Sequence, residues 1–201
     1  MIAADLRTVQ REHRVGALVV LVVDASGSMG VEHRMAATKA AVLGLLGDAY
    51  RRRGRVALVT FRGADAEIVL RPTASIEIAK ARLQGIRTGG ASPLAAGLEA
   101  ARELIGGTTG DQALQPTIVV ITDGRATSSP DGPADAIAAA TAAMKRLAAT
   151  GARIMLVDTE VGHTRLGCVA DLAEAVGADY VTLDATDAPS LERTVRALAA
   201  I

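Results

Sequence analysis

Aromatic side chains are almost missing from this 201-residue chain, which has no tryptophan, one phenylalanine and two tyrosines. Single-stranded nucleic acid is held largely by stacking bases on aromatic rings, so that class of partner is excluded. Net charge is missing too: 22 Lys and Arg balance 22 Asp and Glu, which leaves no bulk field to attract a nucleic acid or an anionic membrane. The one cysteine, Cys168, cannot form an internal disulfide; it suits a reducing compartment and reads as a small core side chain rather than a reactive thiol. The longest apolar run, from Val15 to Val23, falls well short of the roughly 20 residues that a helical membrane span needs. The opening MIAADLRTVQREHRV scatters charges where a signal peptide has its apolar core. Together these absences predict a cytoplasmic protein with neither nucleic acid nor membrane as partner.

What is present is aliphatic. Half of the residues are apolar, enough for one sizeable core, so the reading is a single domain over 1–201 with 1–14 as an N-terminal lead-in. Continuous apolar runs at 17–23, 55–61, 117–123 and 153–158 alternate with segments of helical period, the pattern of an α/β domain with buried parallel strands. A weaker strand, 180–183, follows the helix-like RLGCVADLAEAVGA. Met35, Val42, Leu45, Leu46 and Ala49 recur at helical spacing, as do Leu94, Leu98, Ala101 and Leu104; these are packing stripes.

One link is too short for a parallel crossover. AEIVL (66–70) follows the second strand after only RGADA, so it must fold back as an antiparallel edge strand. With right-handed crossovers elsewhere, the expected sheet has six strands in the order 3-2-1-4-5-6 with strand 3 reversed and helices on both faces. Winding then changes direction between strands 1 and 4, which end at Asp24 and Asp123, and open α/β sheets bind ligands at such a switch point.

LVVDASGSMG (21–30) supplies Asp24, Ser26 and Ser28 at alternate positions on a turn loosened by Gly27 and Gly30. TGGASPLAAGL (88–98) adds Ser92, and ITDG (121–124) adds Asp123. All five are hard oxygen donors, with no histidine or cysteine among them, which favours Mg²⁺, or Mn²⁺, over Zn²⁺. Taken singly, each serine serves as well as a helix cap, Ser92 before Pro93 above all; convergence at the switch point favours the metal. Arg125 reads either as a charge offered to an acidic partner or as a solvated loop residue. The run Arg51, Arg52, Arg53 and Arg55 complements a helix carboxyl terminus, and His13, His33 and His163 stand alone.

DASGS (24–28), Ser92 ahead of Pro93, and Asp123 resemble the metal-ion-dependent adhesion site of von Willebrand factor A domains, whose pattern is D-x-S-x-S, then Thr, then Asp. The resemblance implies a von Willebrand factor A (Rossmann-like) fold, with Ser26, Ser28 and Ser92 as metal ligands and Asp24 and Asp123 binding directly or through water. Ser92 departs from the usual threonine but keeps the hydroxyl. The blocks VVDASGSM, RMAATKAAVLGLLGDAYRRRGRVALVTFRG, LRPTASIEIAKARL, TGGASPLAAGL, ITDGRAT and VDTEVGHTRLGCVADLAEAVGADYV are similar, in this order, to the carboxyl-terminal A domain of the D-type subunit of magnesium chelatase and related cobaltochelatases. VDTE and RLG lean toward the cobaltochelatase-like branch.

That resemblance implies a non-catalytic, Mg²⁺-dependent interaction module of a tetrapyrrole metal chelatase, in magnesium porphyrin or cobalamin synthesis. Its partners would be an AAA+ ATPase subunit and the large catalytic subunit, one of which places an acidic side chain on the metal. Family members also carry an AAA+ module and an acidic, proline-rich linker; no G-x-x-x-x-G-K-[ST] occurs here, so ATP binding is not supported, and the chain is either stand-alone or an excised domain. A Mg²⁺-dependent phosphotransferase or hydrolase using Asp24 as nucleophile is the competing class. It lacks the second acid of a D-x-D arrangement, where Ser26 stands, and a nearby lysine. A generic adhesion-like module is the third.

Overall fold

The computed structural model describes residues 18–27, 54–107, 116–129, 132–160 and 167–182, together with Ala36, Lys39, Ala40, Leu43, Gly44 and Gly47, which are helical. The lead-in 1–14, Ser28, the three histidines, Arg51 to Arg53 and the stripe from Met35 to Ala49 lie outside the described residues.

Six strands form one sheet: β1 (Leu18–Asp24), β2 (Arg55–Arg62), β3 (Asp65–Thr73), β4 (Thr117–Thr122), β5 (Arg153–Asp158) and β6 (Asp179–Thr182). Their order is β3-β2-β1-β4-β5-β6, as the sequence leads one to expect. β3 alone runs antiparallel. Only Gly63 and Ala64 separate it from β2, and Gly63 turns the chain with a φ of 66°. β4 stops at Thr122, so Asp123 sits just beyond the strand rather than at its last position.

The apolar runs are unbroken because both faces of the sheet are covered. One face, with Val20, Val22, Val59, Phe61, Val120 and Leu156, packs against α2 (Leu94–Gly106), α3 (Ala136–Ala148) and α4 (Cys168–Glu174). The opposite face, with Val19, Leu21, Val23, Leu58, Ile121 and Val157, packs against Ala79 and Leu83 of α1 (Ile76–Gln84) and the half-buried Leu43. The expected stripe of Leu94, Leu98, Ala101 and Leu104 is buried throughout. Among the described residues, four helices and the helical segment around Leu43 thus cover the two faces of the sheet, with β1 in its middle beside β4.

The single phenylalanine, Phe61, is among the largest fully buried side chains, and α2 reaches it only because residue 97 is glycine. A Cβ at Gly97 would lie 2.9 Å from Phe61 Cγ. Alanine there would gain about 1 kcal/mol of helix propensity, but moving a packed ring costs about 1–3 kcal/mol. Gly97→Ala is therefore expected to lower the urea midpoint at unchanged slope. In a Phe61→Ala background, where Cγ and Cδ1 are gone, the same substitution should be neutral or stabilising, a coupling that a double-mutant cycle measures.

Candidate metal centre

Three chain segments meet at the carboxyl edge of β1. The turn after Asp24 is tied to β2 by Ala25 N–H donating to Phe61 O at 3.0 Å. It is tied to the loop before α2 by Gly27 N–H to Gly90 O and Gly89 N–H to Ala25 O, both 2.9 Å. Gly90 has a φ of 84°, and a Cβ on it would come 3.2 Å from the Gly63 backbone. The double glycine of TGGAS therefore lets this loop cross the strand ends closely enough to deliver Ser92.

Ser92 is clamped on both sides by Thr127, whose Oγ1 accepts its N–H at 2.9 Å and whose own N–H donates to its carbonyl at 3.1 Å. So held, the Ser92 hydroxyl donates to Asp24 Oδ2 at 2.8 Å. It does not cap α2: the cap position is Pro93, which makes no side-chain cap bond, so the capping alternative falls. Thr122 also donates its hydroxyl to Asp24 Oδ2, at 3.0 Å, while accepting the Gly124 N–H at 3.1 Å. Ser26 N–H donates to Asp24 Oδ1 at 2.8 Å.

Asp24 is 0 % exposed and Ser26, Ser92 and Asp123 are buried with it. Burial pushes the Asp24 carboxyl above its ordinary pKa; hydrogen bonds from Ser26 and Ser92 pull it down, and the Asp123 charge pushes it up again. The fold thus holds two sequence-distant acids close enough for one charge to act on the other. Asp123 Oδ1 accepts the Arg125 N–H at 3.1 Å, and the half-exposed Arg125 guanidinium stands 3.9 Å from Oδ2. Arg125 thus faces the crevice acid itself. The structure brings together Asp24, Ser26, Ser92 and Asp123; Ser28 lies outside the described residues.

Three further residues belong to this edge. Thr122 and Thr127 orient Asp24 and Ser92, and their sequence signal is a threonine on either side of the ITDGRAT turn. Asp158 repeats at the end of β5 what Asp24 and Asp123 do: its Oδ1 accepts the amide two residues on, Glu160 N–H, at 2.8 Å, and its Oδ2 accepts from Tyr180 Oη at 2.7 Å. Cys168 is half-buried rather than a core residue. Its thiol is pushed up first by burial and then by the charges of Asp171, Glu160 and Asp158, which disfavours the nucleophilic thiolate.

Among the described residues no group of three or more His, Cys, Asp or Glu is arranged to hold a metal. What the edge offers instead is two buried acids among hydroxyls.

Thr122→Val removes one of the hydroxyl donors to Asp24 and leaves the Gly124 amide without its acceptor. A loss of about 1–3 kcal/mol is expected in urea unfolding, the cost of stranding buried polar groups; a loss inside measurement error would mean that this hydroxyl does not support the carboxylate.

The von Willebrand factor type A domain family matches residues 19–125. The chain is 47% identical over 97% of its length to a protein of Mycobacterium tuberculosis named only as uncharacterised, and covers 30% of that protein. It is 38% identical over 96% of its length to the magnesium-chelatase 67 kDa subunit of Heliobacterium mobile, again covering 30% of it. The chain therefore spans about a third of these curated relatives. Among solved structures, the vWF domain of the type V pili tip protein Mfa5 from Porphyromonas gingivalis superposes with a TM-score of 0.69 at 13% identity, covering 92% of this chain and 96% of that one, which speaks to fold alone. With the expected strand order, the family match and the chelatase-subunit relatives in agreement, the chain belongs to the von Willebrand factor type A domain family and is related to magnesium-chelatase subunits.

Proposed function

We propose that this chain is a Mg²⁺-dependent docking module of a tetrapyrrole metal chelatase acting in the cytoplasm. The observation that carries the reading is the buried Asp24 carboxylate, which accepts the Ser92 and Thr122 hydroxyls on one oxygen beside a second buried acid, Asp123.

The residues present fit a hard dication. The Ser92 hydroxyl gives its proton to Asp24, which leaves its lone pairs for a cation. Two buried carboxylates that repel each other need positive charge, and the half-exposed Arg125 at 3.9 Å supplies little of it. Ser26, Ser28, Ser92 and Asp123 would hold Mg²⁺, or Mn²⁺, with Asp24 fixing the hydroxyls that ligate it. When bound, the cation supplies Lewis acidity and a coordination position for a carboxylate from outside. Asp24 turns its oxygens inward, Ser92 and Thr122 set the crevice shape, and the buried Asp123 stands beside the half-exposed Arg125.

The partners we propose are an AAA+ ATPase subunit and the large catalytic subunit of the chelatase, supported by the relatives named as magnesium-chelatase subunits. The domain's part is then attachment, with insertion into the porphyrin or corrin carried out elsewhere. Catalysis by Asp24 is disfavoured because a nucleophile must reach its substrate, whereas this carboxylate is 0 % exposed and accepts hydrogen bonds on both oxygens.

Two variants test the reading. Asp123→Ala, which touches none of the hydrogen bonds to Asp24, should abolish Mg²⁺-dependent retention of the AAA+ subunit in a pull-down while the melting curve stays cooperative; retention equal to the unsubstituted chain refutes docking on the metal. Ser92→Thr keeps the hydroxyl, so Mg²⁺ affinity in titration calorimetry should be preserved or slightly raised. A large loss would show that this position does not ligate.

A further inference from the structure

Among the described residues, the face of the sheet covered by α1 is not covered to its end. α1 stops at Gln84, and beyond it the last outward positions of β2, Thr60 and Arg62, and the first of β3, Glu67 and Val69, line an open cleft of about 360 Å³. Arg82 from the last turn of α1, and Ile86 and Arg87 just after it, complete the walls. Three guanidiniums thus surround one space against a single carboxylate, Glu67. All three arginines are exposed, and among the described residues none forms an ion pair. A protein with no net charge has here gathered three arginines around one carboxylate, none of them in an ion pair among the described residues.

We propose that this cleft is a docking site for an acidic peptide segment of a partner protein. Guanidinium forks match carboxylates two hydrogen bonds at a time, and Val69 and Ile86 give the aliphatic stems of glutamates an apolar floor. Guanidiniums take phosphate as readily as carboxylate, so the choice between a peptide and a nucleotide rests on the rest of the lining. Among the described residues no aromatic ring lines the cleft for a base to stack on.

Placement adds a reason for an acidic partner to come here. Arg62 follows Phe61, whose carbonyl accepts the Ala25 N–H of the crevice turn, and Arg87 opens the same loop that carries Gly89, Gly90 and Ser92. The cleft and the crevice share that loop as a wall. Attraction in the cleft requires no cation, so it stands or falls separately from the metal reading.

The test is fluorescence anisotropy of a labelled hexaglutamate peptide on the full chain in EDTA at low ionic strength. Arg82→Glu with Arg87→Glu alters two exposed side chains and should weaken binding about tenfold, as expected for two exposed ion pairs turned into repulsions. Lys145→Glu with Arg146→Glu changes net charge equally on α3, on the other face of the sheet, and should leave the affinity unchanged. Should the first pair fail to fold, Arg82→Gln with Arg87→Gln replaces it. No binding by the unsubstituted chain, equal weakening by the α3 pair, or displacement by inorganic triphosphate at lower concentration than by unlabelled peptide would each overturn the proposal.

Discussion

A carboxylate with no access to water sits at the centre of this fold's working edge. Asp24 is 0 % exposed, and a buried charge is tolerated only where hydrogen bonds replace the water it has lost. Its donors come from three separate parts of the chain, at sequence separations of 2, 68 and 98 residues for Ser26, Ser92 and Thr122. None of those parts can move without stranding part of the charge. The turn after β1, the loop before α2 and the end of β4 are thereby held in one arrangement by one side chain.

The same local device recurs along the edge with a different outcome each time. Asp24, Asp123 and Asp158 follow or end β1, β4 and β5, which are neighbours in the sheet, and each folds an oxygen back on the amide two residues ahead. That short-range bond is the usual habit of aspartate in a turn. What each does with its second oxygen differs: Asp24 takes two buried hydroxyls, Asp158 takes the Tyr180 phenol, and Asp123 has a half-exposed guanidinium at 3.9 Å. Of the three, Asp123 is the one whose second oxygen meets an exchangeable partner. The same short-range bond therefore leaves one acid enclosed by the domain's own hydroxyls and another beside a half-exposed cation.

The sheet was readable from the chain because its signals are local and redundant. Four continuous aliphatic runs, one link too short for a crossover and the handedness of crossovers determine strand order without any knowledge of side-chain contacts. Asp24, Ser26, Ser92 and Asp123 were readable because the switch point falls between β1 and β4 and because the D-x-S-x-S spacing is distinctive. Thr122 was not: in TIVVITD it is one more β-branched residue in a buried strand, and only the structure shows its hydroxyl turned to Asp24. Thr127 was hidden for another reason, since its clamp on Ser92 spans 35 residues and leaves no periodic trace. Reading Ser92 as a helix cap failed on a detail of register, because α2 begins at Leu94, with the capping position on Pro93. Cys168 misled through composition: a lone cysteine is usually buried, yet this one sits beside the acids at the end of β5.

The loop from Gly85 to Ser92 explains how such an edge can serve recognition. It leaves the carboxyl end of α1 on one face of the sheet, crosses the ends of β2 and β1, and enters α2 on the other face. Backbone bonds at Gly89, Gly90 and Ala91 fix it to the turn after β1 and to Gly63, so it is a rigid partition with Arg87 on one side and Ser92 on the other. Exposed ion pairs contribute only about 0.2–1 kcal/mol each, and a single metal-bound carboxylate gives little selectivity among the many acidic side chains in a cell. If both proposed contacts are made, two on one rigid wall would behave differently, because the first would confine the partner and the second would then form at a high effective concentration. Selectivity in that arrangement comes from spacing, which a fixed loop preserves and a mobile one would lose.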